Sequence, residues 1–286
     1  MIFSKEGKVH FCAEVGINAL GSVEIVKSMV DFCVDAKVDT VKFQKRSVNT
    51  VYLKEELDVV RDSPFGTTNG DLKRQLEFSY EDYKEIDRYC NKKGIQWTVS
   101  PWDVVSVAFI MKFDVPYIKI ASPTITNKEL LKACCDTGKP LALSSGMSDL
   151  KLLRKVVKTI NTFGGDLQCI YHCTSTYPTA DCEFNLLAIP FLKKEFPDVI
   201  IGYSGHELGH TPTLLAVALG ADAVERHITL NEDMYGSDQK ASYNVSKLKD
   251  LVAEIERTKI RLGDGTLQVY DRELPIIEKL RRINTI

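Results

Sequence analysis

Two histidines that could bind a metal, His206 and His227, follow the last two of eight short apolar runs in the chain. Neutral imidazoles bind divalent cations, and two of them alone leave coordination positions open for substrate oxygen. A Lewis-acid metal centre is therefore one hypothesis, and for either residue alone a hydrogen-bonded loop histidine is the alternative. Glu225 could orient His227 or join the ligands, and Asp238 is either another carboxylate of the site or a turn residue.

Two lysines lie in apolar segments that should be buried. Lys42 stands in the run Val41–Gln44 and Lys119 in Tyr117–Ile120. A buried cation is costly without an anion, so each lysine either extends from a strand end to solvent or holds a phosphate or carboxylate. Hydroxyls at the ends of other runs could complete such an anion cradle. They belong to Ser100, Ser122, Ser144 and Ser204.

Further polar side chains end or follow other apolar runs. Glu14 closes the first run, and it is either a structural ion-pair partner for Lys42 or an acid that contacts the substrate. Gln44 closes the second run, while Ser175 and Tyr177 follow the sixth. We predict that Tyr177 is a neighbour of the substrate.

Apart from Asp238, these residues lie at or just beyond the carboxyl end of an apolar run. In a parallel β/α barrel every strand presents its carboxyl end to one face, so they would converge on one mouth. The predicted strands are Val9–Val15, Thr40–Phe43, Gln96–Val99, Tyr117–Ile120, Pro140–Leu143, Leu167–Tyr171, Val199–Tyr203 and Ala223–Val224.

Amphipathic stretches of helix length separate the runs, so strand and helix alternate throughout the chain. Eight such units without a G-x-G-x-x-G loop predict an α/β fold of the TIM (β/α)8 type rather than an open sheet. A long segment from about Lys45 to Glu77 should form a surface loop over the mouth. The predicted helices are Ser22–Ala36, Ser79–Lys93, Val104–Phe113, Asn127–Thr137, Asp149–Phe163, Asn185–Glu195, His210–Leu219 and Ser246–Leu262.

Length and composition agree with one globular domain. A TIM barrel commonly takes about 250 residues, and this chain has 286. Its net charge of −2 offers no broad electrostatic field for nucleic acid or a membrane surface. With no apolar leader or membrane span, we expect a cytoplasmic protein. The eight cysteines include no C-x-x-C pair, which predicts reduced core thiols rather than disulfides or structural zinc.

Motifs along the whole chain, in order, resemble those of the sialic acid synthase family, the N-acetylneuraminate and nonulosonate synthases. The matching motifs are Ala13–Asn18, Val41–Arg46, Ser100–Asp103, Lys119–Ser122, Ser144–Met147, His172–Pro178, Gly202–His206 and Glu225–His227.

This resemblance implies a single TIM-barrel synthase that condenses phosphoenolpyruvate with the open-chain aldehyde of an amino sugar. The products would be a 2-keto-3-deoxy sugar acid and phosphate. Glu14, His206 and His227 would be catalytic, and the two histidines would bind Mn²⁺ or Mg²⁺. The expected phosphoenolpyruvate ligands are Lys42, Ser100, Lys119, Ser122, Ser144 and Ser204. The expected sugar contacts are Gln44, Thr124, Ser175, Tyr177 and Asp238.

The chain departs from the family pattern in three ways. Ala19 stands where the family often has histidine, Gly205 where it often has aspartate, and Thr124 where it often has an acid that contacts the amino sugar. We also expect residues 1–286 to form the barrel alone, without the small antifreeze-like C-terminal (SAF) domain usual in the family. A homodimer is the expected assembly.

Two other functions stay open on the sequence. One is an aldolase that uses Lys119 as a Schiff-base amine, which fits a barrel but leaves the histidine pair unused. The other is a barrel that binds a sugar phosphate without catalysis and acts as a regulatory or scaffold subunit. The changed residues beside the predicted metal site motivate this second alternative.

Overall fold

Eight parallel strands close into a barrel in the computed structural model, which describes residues 2–3 and 7–281. They are β1 His10–Glu14, β2 Thr40–Lys45, β3 Gln96–Pro101, β4 Ile118–Ile120, β5 Leu141–Ser144, β6 Leu167–Cys173, β7 Ile200–Gly205 and β8 Ala223–Thr229. Each strand pairs with the next, and β1 also pairs with β8. Closure leaves these strands without a free sheet edge. The predicted TIM barrel is confirmed.

Several strands end later than the apolar runs that predicted them. β7 continues to Gly205 and β8 to Thr229. Ser204, Glu225 and His227 therefore lie within strands rather than in the loops beyond them. Because successive strand residues point to opposite faces, regular pairing sets the direction of these side chains.

The lower part of the barrel interior is filled by aromatic rings and small side chains. Phe3 packs edge to face against Tyr117 and Tyr171, with ring centroids 4.8 and 6.4 Å apart. Ala142, Cys169 and Ala223 complete this buried cluster. The apolar layer closes the barrel below, so charged side chains higher on the same strands can be reached only from the mouth.

Helices surround the barrel at the predicted places. They are α1 Val23–Asp35, α2 Tyr80–Lys93, α3 Val104–Ile110, α4 Lys128–Asp136, α5 Leu150–Thr162, α6 Ala188–Glu195, α7 Thr211–Ala218 and α8 Leu248–Leu262. Local signals set their ends. The Ser79 hydroxyl accepts a hydrogen bond from the Asp82 amide at the start of α2, and Gly94 ends that helix with a left-handed φ of 72°. Asp149 caps α5 in the same way as Ser79 caps α2.

The segment after β2 contains regular structure of its own. It forms three short helices, Val48–Val51, Lys54–Leu57 and Asn69–Gln75, and a hairpin of Val60–Ser63 with Gly66–Thr68. Phe65 in the hairpin turn contacts Tyr235 from the loop after β8, with ring centroids 6.1 Å apart. The β2 segment therefore reaches across one side of the mouth.

The sequence also predicted that the chain has no membrane span and that its cysteines are reduced core thiols. Among the described residues, no helix is both long and apolar enough to cross a membrane. All eight cysteines are free thiols, and only Cys182 is exposed. The unpaired, mostly buried cysteines agree with the prediction of core thiols.

Candidate active site

A cavity of about 310 Å³ opens at the carboxyl ends of the barrel strands. The final residues of the strands and the loops that follow them form its wall. All but one of the predicted site residues line it: Glu14, Lys42, Gln44, Ser100, Lys119, Ser122, Ser144, Ser175, Tyr177, Ser204, His206, His227 and Asp238.

Two lysines and two glutamates meet at the floor of the cavity, almost fully buried. Lys42 Nζ lies 2.8 Å from Glu14 Oε2 and 3.6 Å from Glu225 Oε1. The first contact is an ion pair but not an aligned hydrogen bond, because Glu14 Oε2 finds no hydrogen-bond donor in the described residues. Lys119 Nζ donates to both oxygens of Glu225, at 3.2 and 3.1 Å. These four residues, Glu14, Lys42, Lys119 and Glu225, form a charged quartet.

The quartet stabilises the ionised forms of Glu225 and Lys42. Burial alone would raise the pKa of Glu225, but the ammonium groups of Lys119 and Lys42 outweigh burial and lower that pKa to about 2. Burial alone would lower the pKa of Lys42, but Glu14 and Glu225 raise it above its ordinary value. Glu225 is therefore an anion and Lys42 a cation at neutral pH. Neither lysine extends to solvent.

Serine hydroxyls extend the quartet toward the mouth. Lys42 Nζ donates to Ser100 Oγ at 3.3 Å, and Lys119 Nζ donates to Ser144 Oγ at 2.8 Å. Ser204 Oγ donates to Glu225 Oε1 at 3.2 Å. Ser122 Oγ instead contacts Cys173 Sγ at 3.8 Å. Ser100 and Ser144 thus stand beside the predicted cations, where their hydroxyls can donate to a bound oxyanion.

Glu14 is held in place from two sides. Its Oε1 accepts a hydrogen bond from Gln44 Nε2 at 2.8 Å, while Oε2 faces Lys42. Gly16 passes so close that a Cβ atom there would lie 2.9 Å from Glu14 Oε1, and its φ of 50° is left-handed. The chain therefore needs glycine at this position. Glu14 is an ion-pair partner and also lines the cavity, so both roles expected from the sequence are compatible.

The two predicted metal histidines are neighbours. Their ring centroids lie 5.5 Å apart with an interplanar angle of 54°. His206 Nδ1 lies 2.7 Å from the carbonyl oxygen of Thr174, which can only accept, so Nδ1 carries the proton and Nε2 keeps its lone pair. Burial and the neighbouring His227 lower the pKa of His206 to about 3. His206 is therefore a neutral imidazole, the form that binds cations.

The imidazole pair fits a divalent cation that is held weakly. His227 Nδ1 is buried without a hydrogen-bond partner among the described residues, 3.8 Å from Asp238 Oδ2. No group of three or more His, Cys, Asp or Glu side chains arranged to hold a metal is found in residues 2–3 and 7–281. Two imidazole nitrogens and a nearby carboxylate suit an exchangeable Mn²⁺ or Mg²⁺ whose other ligands are water or substrate, rather than structural zinc.

Tyr177 forms the wall of the cavity beside the histidines. Its ring lies against that of His206, with centroids 3.9 Å apart, and meets the ring of His227 edge to face at 5.6 Å. Ser175 Oγ lies 3.8 Å from Cys173 Sγ on the same side of the cavity. The loop after β6 therefore supplies side chains directly adjacent to the imidazole pair.

Thr124 is not brought to the cavity, which corrects its predicted role as a sugar contact. It lies in the 3₁₀ turn Ser122–Thr124, and its Oγ1 donates to the carbonyl oxygen of Ala121 at 3.0 Å. The tight turn directs this hydroxyl back to its own backbone. Ala19, another departure from the family pattern, is buried in the hydrophobic core and also does not line the cavity.

A second buried ion pair supports the histidines from outside the cavity. Arg226 Nη1 lies 2.6 Å from Glu207 Oε1, and Arg226 Nη2 donates to the Glu207 carbonyl oxygen at 3.0 Å. Thr213 donates to Glu207 Oε1 and Tyr203 to Glu207 Oε2. Glu207 follows His206 in the chain, and Arg226 precedes His227. The ion pair therefore ties the segments that carry the two histidines together. No pattern in the sequence predicted this pair.

The Glu207 carboxylate also explains why glycine occupies position 205. A Cβ atom on Gly205 would overlap Glu207 Oε2 and lie 2.6 Å from Tyr203 Cε1. The carboxylate of Glu207 therefore fills the space that a side chain at position 205 would need.

We therefore expect Gly205→Ala to destabilise the protein by about 1–3 kcal/mol, because the buried network must shift to admit one methyl group. Urea denaturation followed by circular dichroism measures the change. An unchanged unfolding midpoint would contradict this account of the packing around Gly205.

Several residues of the cavity wall were not predicted from the sequence, among them Tyr52, Lys73, Trp102 and Arg46. Arg46 could have been found, because strand alternation places it on the face of Lys42 and Gln44. Lys73 carries no such signal, since its position depends on how the β2 segment folds back over the mouth.

Known proteins resemble this chain in sequence and in structure. The sequence profile of the NeuB family matches residues 29–267. Human N-acetylneuraminate-9-phosphate synthase is 36% identical over 279 residues, covering 96% of this chain and 77% of the human protein. N,N'-diacetyllegionaminic acid synthase of Legionella pneumophila is 33% identical, covering 96% of this chain and 79% of that protein.

A solved structure extends the comparison to the fold. The N-acetylneuraminic acid (sialic acid) synthetase of Leptospira borgpetersenii, crystallised with citrate, superposes with a TM-score of 0.83 at 30% identity. The match covers 96% of this chain and 93% of that one. These findings confirm the resemblance to the sialic acid synthases that the sequence motifs indicated. The chain belongs to the NeuB family.

Proposed function

We propose that this chain condenses phosphoenolpyruvate with the open-chain aldehyde of an N-acyl amino sugar, using Mn²⁺ or Mg²⁺ held by His206 and His227. It would be a transferase that forms a carbon–carbon bond and makes a sialic or other nonulosonic acid. The observation that carries the proposal is one cavity of a NeuB-family barrel that combines the charged quartet, four serine hydroxyls and an imidazole pair. The relatives named as synthases of such acids support it.

Phosphoenolpyruvate carries a carboxylate and a phosphate, and the floor of the cavity offers donors for both. Lys42 and Lys119 would hold the anion together with Ser100, Ser122, Ser144 and Ser204. The quartet is formally neutral, because its two lysines already face two glutamates. The charge of the donor must therefore be met by additional hydrogen bonds from the hydroxyls and by the cation.

The reaction follows from placing the acceptor aldehyde beside the histidines. When bound, the cation supplies Lewis acidity at the aldehyde oxygen. C3 of phosphoenolpyruvate attacks the aldehyde carbon, water adds at C2 and loses a proton, and the new alkoxide gains one. The tetrahedral phosphohemiketal then breaks the bond between C2 and the phosphate ester oxygen, the C2 hydroxyl gives up its proton to become the ketone, and phosphate is released. Glu14, which lines the same cavity, would contact the reacting end of the sugar and assist proton transfer.

On the acceptor, Gln44, Ser175, Tyr177 and Asp238 are the proposed sugar contacts, since each lines the same cavity. Tyr177 would pack against the sugar next to His206, and Gln44 would orient Glu14 through its hydrogen bond. Lys42 and the serines would meanwhile hold the donor at the floor. Each of these roles needs only side chains that already face the cavity.

The Schiff-base alternative is disfavoured by the surroundings of Lys119. A nucleophilic lysine needs a neutral amine, whereas Lys119 Nζ donates to both oxygens of Glu225 and to Ser144. Borohydride treatment in the presence of a carbonyl substrate tests this alternative. A covalent adduct on Lys119 would favour the aldolase.

Phosphate release from phosphoenolpyruvate tests the proposed function. We expect turnover with Mn²⁺ and at least one N-acyl hexosamine, a sugar acid product of the summed mass in mass spectrometry, and loss of turnover in chelator. Turnover that survives the chelator would remove the cation from the proposal. Failure with every aldehyde would favour a barrel that binds a sugar phosphate without catalysis.

We also propose that the protein acts as a homodimer in the cytoplasm, as expected for the family. Light scattering of the purified protein gives the mass of the assembly, and cell fractionation gives its location. A monomer that turns over at full rate would show that the barrel needs no partner subunit.

A further inference from the structure

We propose that Arg46, Lys73 and Trp102 form a second anion subsite in the same cavity, for a phosphate ester at the end of the acceptor farthest from its aldehyde. The inference rests on the proposed function, because it takes the acceptor to be a sugar aldehyde bound at His206 and His227. It assigns a recognition role to cavity residues that the condensation does not require.

The charges around Arg46 are unbalanced. Glu77 pairs with Lys45 at 3.1 Å and with Arg46 at 2.9 Å. Asp103, which follows Trp102, is buried and accepts hydrogen bonds from Ser47, the residue after Arg46. Lys73 pairs with no carboxylate in the described part of the chain. Three cations therefore stand against two carboxylates, which leaves a local charge of +1. Two of the cations, Arg46 and Lys73, line the cavity. A phosphate anion would offset this excess.

Tyr52 brings the two cations of the cavity wall to one place. Arg46 Nη1 donates to the Tyr52 hydroxyl at 3.2 Å, and Lys73 Nζ lies 5.2 Å from the centre of the same ring. The positive charges of Arg46 and Lys73 lie beside the same aromatic side chain and repel each other. An anion bound between them would attract both and offset that repulsion. Within residues 2–3 and 7–281, Nη2 of Arg46 and Nζ of Lys73 have no hydrogen-bond acceptor. Both remain available to a ligand.

Trp102 supplies an independent sign of a missing acceptor. Its ring lies under the Arg46 guanidinium, 5.0 Å from centroid to carbon, and it lines the cavity. Its indole Nε1 is buried and finds no acceptor among the described residues. A buried N–H without a partner is costly, and a phosphate oxygen would satisfy it.

Arg46, Lys73 and Trp102 lie where the end of the acceptor farthest from its aldehyde would reach. Trp102 follows β3 and His206 follows β7, and strands three and seven lie opposite each other in an eight-stranded barrel. An open-chain sugar with its aldehyde at the histidines would cross the mouth and place its last carbon near Trp102. The donor's own phosphate would lie lower, at Lys42 and Lys119.

The other direction in which an acceptor could extend is unsuited to an anion. A cleft of about 560 Å³ adjoins the cavity at Cys173 and Ser175. Its charged wall residues are Asp149 and Glu183, with no lysine or arginine. Carboxylates would repel a phosphate there. An anionic terminus is therefore directed to the side of Arg46 and Lys73.

Paired substrates test the subsite. N-acetylmannosamine and N-acetylglucosamine are each compared with their 6-phosphates. The quantity measured is kcat/KM for the acceptor at saturating phosphoenolpyruvate and Mn²⁺. We expect wild-type protein to favour the phosphate esters. Lys73→Met should lower the ratio of phosphorylated to parent kcat/KM by about tenfold or more, because one charge-assisted hydrogen bond is lost. Trp102→Phe keeps an aromatic ring under Arg46 but removes the indole N–H, so the same ratio should fall about fivefold.

Lys112→Met is the matched control, because Lys112 also lies over a tyrosine ring, at 5.1 Å from Tyr80, but outside the cavity. Its ratio should equal that of wild type. Turnover of the parent sugars alone, or an unchanged ratio in Lys73→Met, would overturn the subsite and leave the proposed function intact. If no acceptor turns over, the proposed function fails, and calorimetric binding of the hexosamine 6-phosphates decides the subsite. About tenfold weaker binding to Lys73→Met supports it, and equal binding overturns it.

Discussion

His206→Ala is expected to lower kcat/KM for the condensation by on the order of 10³-fold, since it removes the nitrogen that would bind the catalytic cation. The fold should survive with a loss of about 1–2 kcal/mol. That loss has two sources: His206 gives up its hydrogen bond to the Thr174 carbonyl and its packing on Tyr177. Phosphate release measures the rate, and urea denaturation measures the stability.

Direct Mn²⁺ binding separates the role of His206 as a cation ligand from a structural role. In electron paramagnetic resonance without substrates, wild-type protein should reduce the signal of free Mn²⁺, and His206→Ala should not. His210→Ala is the control, because His210 is exposed and outside the cavity. An unfolded His206→Ala protein would show that the residue is structural. Retained Mn²⁺ binding and turnover would remove it from the cation site.

Lys119→Met is expected to destabilise the protein by about 3–5 kcal/mol and to abolish phosphoenolpyruvate binding. The ammonium group holds both oxygens of Glu225 in a site closed from below, and without it Glu225 keeps the ion pair with Lys42 at 3.6 Å and the hydrogen bond from Ser204. Removing one partner of a buried pair leaves an uncompensated charge. Denaturant unfolding gives the stability, and calorimetry gives the affinity for phosphoenolpyruvate.

The double variant Lys119→Met/Glu225→Gln distinguishes charge balance from ligand binding. Removing both charges should restore most of the lost stability, whereas phosphoenolpyruvate should still fail to bind. Lys139→Met is the matched control for an exposed pair. Lys139 lies 2.6 Å from Asp114, which is almost fully exposed, and its loss should cost at most about 1 kcal/mol. Equal costs for Lys119→Met and Lys139→Met would contradict the account of the quartet.

Much of the site followed from residue types at strand ends. A lysine or glutamate in an apolar strand is costly to bury without a partner, and parallel strands bring their carboxyl ends together. The sequence alone could therefore place the key side chains at one mouth: Glu14, Lys42, Lys119, His206 and His227. Thr124 shows where that argument fails. Its neighbour Ser122 lies beside the cavity, but a 3₁₀ turn directs Thr124 back to the backbone, and no periodicity in the sequence predicts such a turn.

By itself, the sequence determined the barrel and the strand ends that form its mouth, because hydrophobic periodicity and turn residues act locally. Only the tertiary structure decided how the buried charges pair. Glu225 binds Lys119 across 106 positions of sequence, and Arg226 neutralises Glu207 from the next strand. It also decided that the β2 segment brings Lys73 to the cavity. These contacts depend on three-dimensional packing between distant segments, which leaves no periodic pattern in the chain.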